Sequence, residues 1–299
     1  MCRKNRFAGF IPQLLLAALL IPGMAHAQPV LERVSDGSFS RPHDLKLSPD
    51  GKRLYVADLG NDAVKVLDPD SLKVLGVIGA DQLDDPHDVT FDGQGRLLVA
   101  DTGNDRIAIF TVSGNGGTFA GALKGGLSGP EGVVVAKDGS VYVANASGHS
   151  IVIFRAGRPV RSAGKHGSAP GEMIRPHDID IAGTGEIVVA DPGNNRLQVF
   201  SPELKPLAEI GGPSYGFNEP KYFAVAPGGV LAVVDQHNNR VVILDPARKP
   251  RWIFPERNAP ARERLKGPEG AEIRGNSLWL SDTYNNRILR YRLPDGIFR

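Results

Sequence analysis

The tripeptide Pro-His-Asp occurs three times in the chain, at residues 42–44, 86–88 and 176–178. A histidine side chain can bind a metal or exchange a proton near pH 7. Three neutral imidazoles that converge on one point form a common site for zinc or a similar divalent ion, with positions left open for water and substrate. His43, His87 and His177 are therefore candidate metal ligands, with zinc favoured and calcium as the alternative ion.

Each Pro-His-Asp tripeptide belongs to a longer repeat that occurs six times. The prolines that mark the copies are Pro42, Pro86, Pro130, Pro176, Pro220 and Pro268. They are separated by 44, 44, 46, 44 and 48 residues, and a large apolar residue stands three positions before each. Every copy also has an acidic or amide residue after an apolar run, at Asp58, Asp101, Asn145, Asp191, Asp235 and Asp282. Agreement at three landmarks indicates six structural units of one kind.

Within a copy, apolar and polar residues alternate. In the second copy the runs HDVTF, RLLVA and RIAIF are separated by DGQG and DTGND. The alternation predicts strands, and the clusters of Gly, Asp and Asn predict turns. Four short antiparallel strands every ~44 residues predict an all-β, six-bladed β-propeller. The last copy has three strands, so we expect residues 29–35 to pair as its outer strand and to close the ring.

The residue after each proline begins the innermost strand of its blade, and these strands line the central channel. We expect these six residues to surround one channel mouth, where a ligand site is expected; they are His43, His87, Glu131, His177, Lys221 and Glu269. Glu131 and Glu269 are candidates for a general base or a further metal ligand. Strand alternation turns the aspartates that follow the histidines away from them, so we expect Asp44, Asp88 and Asp178 to bind backbone amides. The remaining histidines of residues 28–299, in predicted loops, have no predicted role; they are His149, His166 and His237.

The motif Asp-x-x-Asn-x-Arg is complete in four copies, beginning at Asp101, Asp191, Asp235 and Asp282. With this motif the chain resembles the NHL repeat, and the resemblance to a six-bladed NHL-type propeller covers residues 28–299. A catalytic group would be needed once, not four times. We therefore interpret the motif as structural, with Asp and Asn in the turns and Arg bridging to a neighbouring blade.

The Pro-His motifs also resemble those of the lyase domain of the peptide-amidating enzyme, a six-bladed propeller that cleaves peptidyl-α-hydroxyglycine. That resemblance implies catalytic zinc at His43, His87 and His177. It also implies a tyrosine and an arginine in the site, for which Tyr222 and Arg175 or Arg41 are available. In the lyase the histidines come from alternate blades, whereas here they come from copies one, two and four. Lys221 and Arg41 are predicted to contact a ligand.

Residues 1–27 have the pattern of a secretory signal peptide, with Arg3, Lys4 and Arg6 before an apolar segment and the sequence AHA at 25–27. We expect cleavage after Ala27 and export to the periplasm or the extracellular space. Residues 28–299 are then a single domain, expected to be a monomer, with no membrane span and no cysteine.

Removal of three basic residues leaves 32 basic and 33 acidic side chains, and this near balance gives no reason to expect nucleic acid as a partner. The glycine-rich stretch 113–130 lacks the strand–loop–helix context of a phosphate loop, so no nucleotide cofactor is expected. The charged segment 247–266 is interpreted as a solvated loop.

Two functions are compatible with these features. The first, which we favour, is a binding module that recognises a protein, peptide or small molecule at the channel mouth. The second is a metal-dependent lyase or hydrolase at the same mouth, with His43, His87 and His177 as metal ligands. The fold alone does not choose between them, because function depends on the site that the fold carries.

Overall fold

The computed structural model describes residues 28–297, which form six four-stranded antiparallel sheets, the blades of a β-propeller. The all-β fold is therefore confirmed. The strands are β1 (Val30–Val34), β2 (Pro42–Leu47), β3 (Leu54–Asp58), β4 (Ala63–Leu67), β5 (Val74–Ile78), β6 (Pro86–Phe91), β7 (Leu97–Asp101), β8 (Arg106–Ser113), β9 (Gly116–Leu123), β10 (Pro130–Val135), β11 (Val141–Asn145), β12 (Ser150–Arg155), β13 (Arg158–Ala163), β14 (Ile179–Ile181), β15 (Ile187–Asp191), β16 (Arg196–Phe200), β17 (Pro206–Gly211), β18 (Pro220–Val225), β19 (Leu231–Asp235), β20 (Arg240–Leu244), β21 (Pro250–Phe254), β22 (Ala271–Arg274), β23 (Ser277–Asp282) and β24 (Arg287–Arg292).

Blades 1 to 5 each consist of four consecutive strands, beginning with β2, β6, β10, β14 and β18. Blade 6 contains β22, β23 and β24, and β1 pairs with β24 as its outer strand, with Val30 opposite Arg292 and Val34 opposite Leu289. The predicted closure of the ring is confirmed. Because one blade contains strands from both ends of the described chain, the ring cannot open without breaking this sheet. The predicted signal peptide, residues 1–27, lies outside the described residues.

Single-turn 3₁₀ helices account for the helical residues. Five of them join the second and third strands of a blade; they are Leu59–Asn61, Thr102–Asn104, Pro192–Asn194, Gln236–Asn238 and Thr283–Asn285. Two more, Pro227–Gly229 and Ala261–Glu263, lie in other connections. Between residues 28 and 297, no helix is long and apolar enough to cross a membrane.

The repeated aspartate is a buried structural group in each blade that has it. In blade 5 its Oδ1 atom accepts a hydrogen bond from the backbone N–H of Asn218, in the segment that leads into the blade, at 2.7 Å. Its Oδ2 atom accepts from Asn238 Nδ2 at 2.8 Å and from Arg240 Nε at 2.6 Å. Arg240 also donates to the carbonyl of Tyr215. The arginine thus joins its own blade to the segment that enters that blade. The prediction that it contacts a neighbouring blade was wrong.

Blade 1 lacks this arginine and has Ala63 at its position. Lys65, two residues later, takes its place, with Nζ 2.8 Å from Asp58 Oδ2. Asp58 is fully buried, so its charge needs such a partner.

A second repeated contact joins each blade to the next. In each blade, the residue just before the third strand has a positive φ between 48° and 55°. Its side chain accepts a hydrogen bond from the backbone N–H of the residue that precedes the proline of the next blade. Asp or Asn, which tolerate this conformation, occupy the position in five blades. In blade 3 it is His149, whose Nδ1 accepts from Arg175 N at 3.1 Å. No role was predicted for this histidine, which takes the place of an Asn or Asp at this position.

Buried aspartates line the channel below the mouth. Asp88 Oδ2 accepts from Val133 N at 2.6 Å, and Asp178 Oδ2 accepts from Phe223 N at 2.8 Å, each in the next blade. The prediction that the aspartates bind backbone amides is confirmed for Asp88 and Asp178, whereas Asp44 shares a hydrogen bond with the Asp88 side chain. At the opposite end Lys46 Nζ lies 3.2 Å from Glu272 Oε2 and 3.8 Å from Asp180 Oδ2, across the channel.

Candidate functional site

The six residues that follow the prolines lie together at one end of the channel, which we call the mouth. The rings of His43 and His87 are in edge contact, with centroids 4.5 Å apart. Lys221 Nζ lies 3.5 Å from Glu269 Oε1. Glu131 is 2 % exposed and Glu269 is 1 % exposed, so two carboxylates are buried in a small region. Buried carboxylates need compensating partners.

Each of these carboxylates is paired with an imidazole of the next blade. Glu269 Oε2 of blade 6 lies 2.9 Å from His43 Nδ1 of blade 1. Glu131 Oε2 of blade 3 forms the equivalent contact with His177 Nδ1 of blade 4. In both pairs the atoms are close, although the angle is outside the range of a hydrogen bond. The mouth therefore contains two similar Glu–His pairs, on opposite sides of the ring.

Two glycines allow these pairs to form. Each follows its glutamate directly, in the sequence Pro-Glu-Gly at 130–132 and 268–270. A Cβ atom on Gly132 would lie 2.5 Å from the carbonyl oxygen of His177, and one on Gly270 would lie 2.5 Å from that of His43. Real Cβ contacts are not this short, so any larger residue would push the neighbouring blades apart. The two Pro-Glu-Gly segments, together with the Arg-Pro-His-Asp segments that they face, were available in the sequence as a signal of this pairing.

The charges of the paired groups hold the carboxylates in the ionised form. Burial alone would raise the pKa of Glu131, but His177, His87 and Arg175 outweigh burial and lower that pKa to about 2. The pKa of Glu269 is also lowered, because His43 and Lys221 outweigh its burial. Carboxylates with such low pKa values are weak bases.

All three mouth histidines have the Nδ1 atom next to an oxygen. His87 Nδ1 is hydrogen-bonded to the carbonyl oxygen of Asp85 at 2.9 Å, and the other two face Glu269 and Glu131. For His87, the carbonyl acceptor at Nδ1 favours the tautomer with the proton on Nδ1 and leaves Nε2 as an acceptor. Burial, together with the neighbouring His43, lowers the pKa of His87 to about 4, so its imidazole is neutral at pH 7.

Tyr222 lies between the two Glu–His pairs. Its ring centroid is 6.4 Å from that of His43 and 6.2 Å from that of His177. The side chain is fully buried, and its hydroxyl has no hydrogen-bond partner among the described residues. Burial raises the pKa of this hydroxyl well above its ordinary value, and the charges of Glu269 and Glu131 raise it further. The hydroxyl therefore stays protonated, and its proton is free to be donated.

The two predicted arginines have different surroundings. Arg175 Nη2 lies 2.9 Å from Glu131 Oε1. Arg41 is exposed, and its guanidinium has no hydrogen bond or ion pair with any residue between 28 and 297. By comparison with Arg175, Arg41 would be expected to pair with Glu269 Oε1. That oxygen instead accepts hydrogen bonds from Gln236 Nε2 and Lys221 Nζ. Sequence reasoning missed Gln236, which follows the repeated aspartate of blade 5, where the other five copies have no side-chain amide.

The predicted metal ligands fit a metal in the kind of donor that they present. A metal-bound histidine usually gives its other ring nitrogen to a carboxylate or a carbonyl, as these three do. The spacing does not fit, because no group of three or more His, Asp or Glu side chains in residues 28–297 is placed to hold a metal ion.

A second layer of carboxylates lies below the mouth. Burial raises the pKa of Asp44 and Asp178 well above the usual value, and the charge of each raises the pKa of a neighbour. Burial raises the pKa of Asp88 to about 7. These groups share hydrogen bonds with the backbone and with one another, so the layer is a floor for the mouth.

The NHL repeat family model matches residues 83–110, 127–154 and 173–200, which lead into blades 2, 3 and 4 and end in their third strands. The chain contains NHL repeats within a six-bladed β-propeller. Rat E3 ubiquitin-protein ligase TRIM71 is 39% identical over 69 residues, which cover 23% of this chain and 7% of the relative. Human NHL repeat-containing protein 3 is 28% identical over 180 residues, 55% of this chain and 50% of the relative. The chain thus spans half or less of the length of these curated relatives.

Solved structures with a similar fold include enzymes. A streptogramin B lyase superposes with a TM-score of 0.64 at 15% identity, covering 89% of this NHL-repeat propeller and 97% of the lyase chain. Kuenenia stuttgartiensis hydrazine synthase superposes with a TM-score of 0.59 at 16% identity, covering 87% and 97% of the two chains. At these identities the likeness concerns the fold alone.

Proposed function

We propose that this NHL-repeat propeller is an exported binding module, and that the mouth is its ligand site. The observation that carries the proposal is the buried hydroxyl of Tyr222, which lies between two imidazoles and has no partner in the described residues. A buried polar group without a partner costs about 1–3 kcal/mol. A ligand that accepts a hydrogen bond from this hydroxyl removes the cost on binding. The removal of the cost contributes favourably to the free energy of binding.

The surrounding groups set what the ligand must offer. Nε2 of His43 and Nε2 of His177 are the ring atoms that the carboxylate contacts leave available for a hydrogen bond with a polar group of the ligand. The floor of aspartates and the contacts of Lys46 with Glu272 and Asp180 lie below the mouth, which supports entry of a ligand from the mouth side. Propellers with NHL repeats are in general protein-interaction modules, which supports a protein or peptide as the source of the ligand. We propose that the propeller acts as a monomer.

The proposal is tested with residues 28–299 and a library of peptides, sugars and small acids, by thermal shift. We expect at least one compound to raise the Tm of the wild type and to have no effect on the His177→Gln variant. The matched control is His166→Gln, because His166 is exposed in the loop between β13 and β14 and is not one of the mouth or rim residues. If compounds stabilise all three proteins equally, the ligand site is elsewhere and the proposal is wrong.

A metal-dependent lyase or hydrolase at the same mouth is the second candidate. It is favoured by one observation, the oxygen atoms that hold Nδ1 of His43, His87 and His177 and leave Nε2 free. A divalent metal would supply a polarising charge and an activated water. Glu131 and Glu269 would then orient imidazoles, since their low pKa values make them weak bases.

The metal content of residues 28–299, purified without a His tag, decides between the candidates. Near-stoichiometric zinc or calcium that is lost in both His43→Ala and His177→Ala would favour the lyase or hydrolase. Absence of bound metal after incubation with both ions and dialysis would exclude it and leave the binding module.

A further inference from the structure

The mouth repeats after three blades. The prolines of blades 1, 2 and 3 follow Arg41, Asp85 and Gly129, and those of blades 4, 5 and 6 follow Arg175, Glu219 and Gly267. The rim of the mouth therefore has the order basic, acidic, glycine in each half. The backbone repeats as well, since the four charged rim residues have φ values of 51°, 48°, 54° and 52°. We call Arg41 and Asp85 the first rim pair, and Arg175 and Glu219 the second rim pair.

The charges of the second rim pair are matched within the protein. Arg175 Nη2 lies 2.9 Å from Glu131 Oε1. Glu219 Oε2 lies 3.4 Å from His237 Nε2. A ligand would have to replace these contacts in order to use either side chain.

The charges of the first rim pair have no such match. The guanidinium of Arg41 and the carboxylate of Asp85 form no hydrogen bond or ion pair with each other or with any other described residue. The backbone groups of both residues are nevertheless fixed, because Arg41 N donates to Asn286 Oδ1 at 2.8 Å and Asp85 N donates to Asp62 Oδ1 at 3.0 Å. One cation and one anion, on backbone positions that hydrogen bonds hold, are thus left without a partner among the described residues, two positions before His43 and His87.

The cause of this difference lies in blade 5. Lys221 and Gln236 occupy Glu269 Oε1, the atom equivalent to the one that Arg175 uses on Glu131. The corresponding residues of blade 2 are His87 and Thr102, of which Thr102 Oγ1 donates instead to the carbonyl of Pro130. Lys221 and Gln236 of blade 5 therefore take the glutamate oxygen that Arg41 would otherwise pair with, as Arg175 pairs with Glu131.

We propose that the ligand of the mouth is a zwitterion, a free amino acid or a short peptide with free ends. Its carboxylate pairs with Arg41, and its ammonium pairs with Asp85. A guanidinium binds a carboxylate through two parallel N–H groups, and a carboxylate accepts from an ammonium with comparable strength. The ammonium or an amide N–H of the ligand meets Nε2 of His87, whose Nδ1 is hydrogen-bonded to the carbonyl oxygen of Asp85. This inference rests on the proposed function, because it names the ligand class of the same site.

The test uses glycine, diglycine and triglycine as probes, each also as the N-acetyl form, which lacks the cation, and as the C-terminal amide, which lacks the anion. Binding is followed through the imidazole Cε1–Hε1 NMR signals of His43, His87 and His177 in residues 28–299. We expect saturable shifts for at least one free form. Both capped forms of that compound should bind at least about tenfold more weakly.

Two variants assign the charges separately. Arg41→Gln should remove the preference for the free carboxylate and keep the preference for the free ammonium, and Asp85→Asn should do the reverse. The controls are Arg161→Gln, on an exposed outer strand, and Glu203→Gln, in the exposed turn between β16 and β17, and neither should alter the preferences.

Absence of saturable shifts with all three free forms, or equal binding of free and capped forms, overturns the zwitterion inference. The proposed function is judged separately, by the compounds whose thermal shift is lost in His177→Gln. If such compounds exist and bind Arg41→Gln unchanged, the mouth is a ligand site for a different chemical class. If none exists, the mouth is not a ligand site.

Discussion

Replacement of Tyr222 by phenylalanine separates stability from binding. The substitution removes a hydroxyl that is buried without a partner and keeps the ring that packs against the neighbouring side chains. Leaving such a group unpaired costs about 1–3 kcal/mol, so we expect Tyr222→Phe to be more stable than the wild type by about 1–2 kcal/mol. For a propeller of this size that corresponds to a rise in Tm of about 2–4 °C for each kcal/mol. Ligand affinity should fall in the same variant.

Urea unfolding of both proteins, followed by tryptophan fluorescence and by circular dichroism, measures the change in the free energy of unfolding. The matched control is Tyr142→Phe, because Tyr142 is also buried but its hydroxyl donates to the carbonyl of Pro202 at 3.1 Å. The control should lose about 1 kcal/mol. If Tyr222→Phe loses as much as the control, the hydroxyl of Tyr222 is paired in the free protein, and the reasoning that makes it a ligand contact is refuted.

Three further predictions concern the framework of the mouth. Gly270→Ala should destabilise the fold by about 1–3 kcal/mol in urea, because its Cβ would lie 2.5 Å from the carbonyl of His43. Lys65→Met should cost about 3–5 kcal/mol, since it leaves the buried carboxylate of Asp58 without its cation. His149→Asn should make stability less dependent on pH: burial lowers the pKa of His149 in the folded state, so the wild type loses stability as pH falls below about 6.5, and Tm scans across that range measure the loss.

Each of these three predictions has a contrasting outcome. Gly93→Ala, in open space, should be near neutral, and an equal loss in both glycine variants would contradict the close approach of blades 6 and 1. Ala63→Arg should recover part of the Lys65→Met loss, because four other blades have arginine at that position. If His149→Asn and the wild type lose stability in parallel on acidification, protonation of His149 is not what weakens the contact with Arg175.

The fold was predictable because it depends on features within the local sequence of each blade. Period-2 runs, turn residues and the repeated aspartate or asparagine appear six times, and the surplus strand at residues 29–35 had one place to pair. The location of the mouth residues followed from the same register, because the first residue of each innermost strand occupies an equivalent position.

The contacts within the mouth were less predictable, because they cross blade boundaries and depend on side-chain direction. Nothing local to His43 indicates that its partner is Glu269, 226 positions away, and not the aspartate beside it. Arg41 and Arg175 stand in identical tetrapeptides, yet a glutamine on another blade decides which one is free. The role of His149 was not predicted from the sequence. It depends on a positive φ, which places the side chain where the other blades have Asp or Asn.

The two Glu–His pairs and the floor of aspartates give the mouth its character as a site. The charges around the two buried carboxylates keep them ionised, the imidazole of His87 is neutral at pH 7, and a phenol remains without a partner among the described residues. A site whose groups are already held in place by such contacts binds a ligand with less reorganisation.

The most direct test of the ligand site is a crystal structure of residues 28–299 with the compound that gives the largest thermal shift. We expect density in the mouth, with a ligand atom within hydrogen-bond distance of the Tyr222 hydroxyl and of at least one Nε2 atom of His43 or His177. A ligand bound elsewhere on the propeller, with the Tyr222 hydroxyl still unpaired, would contradict the account.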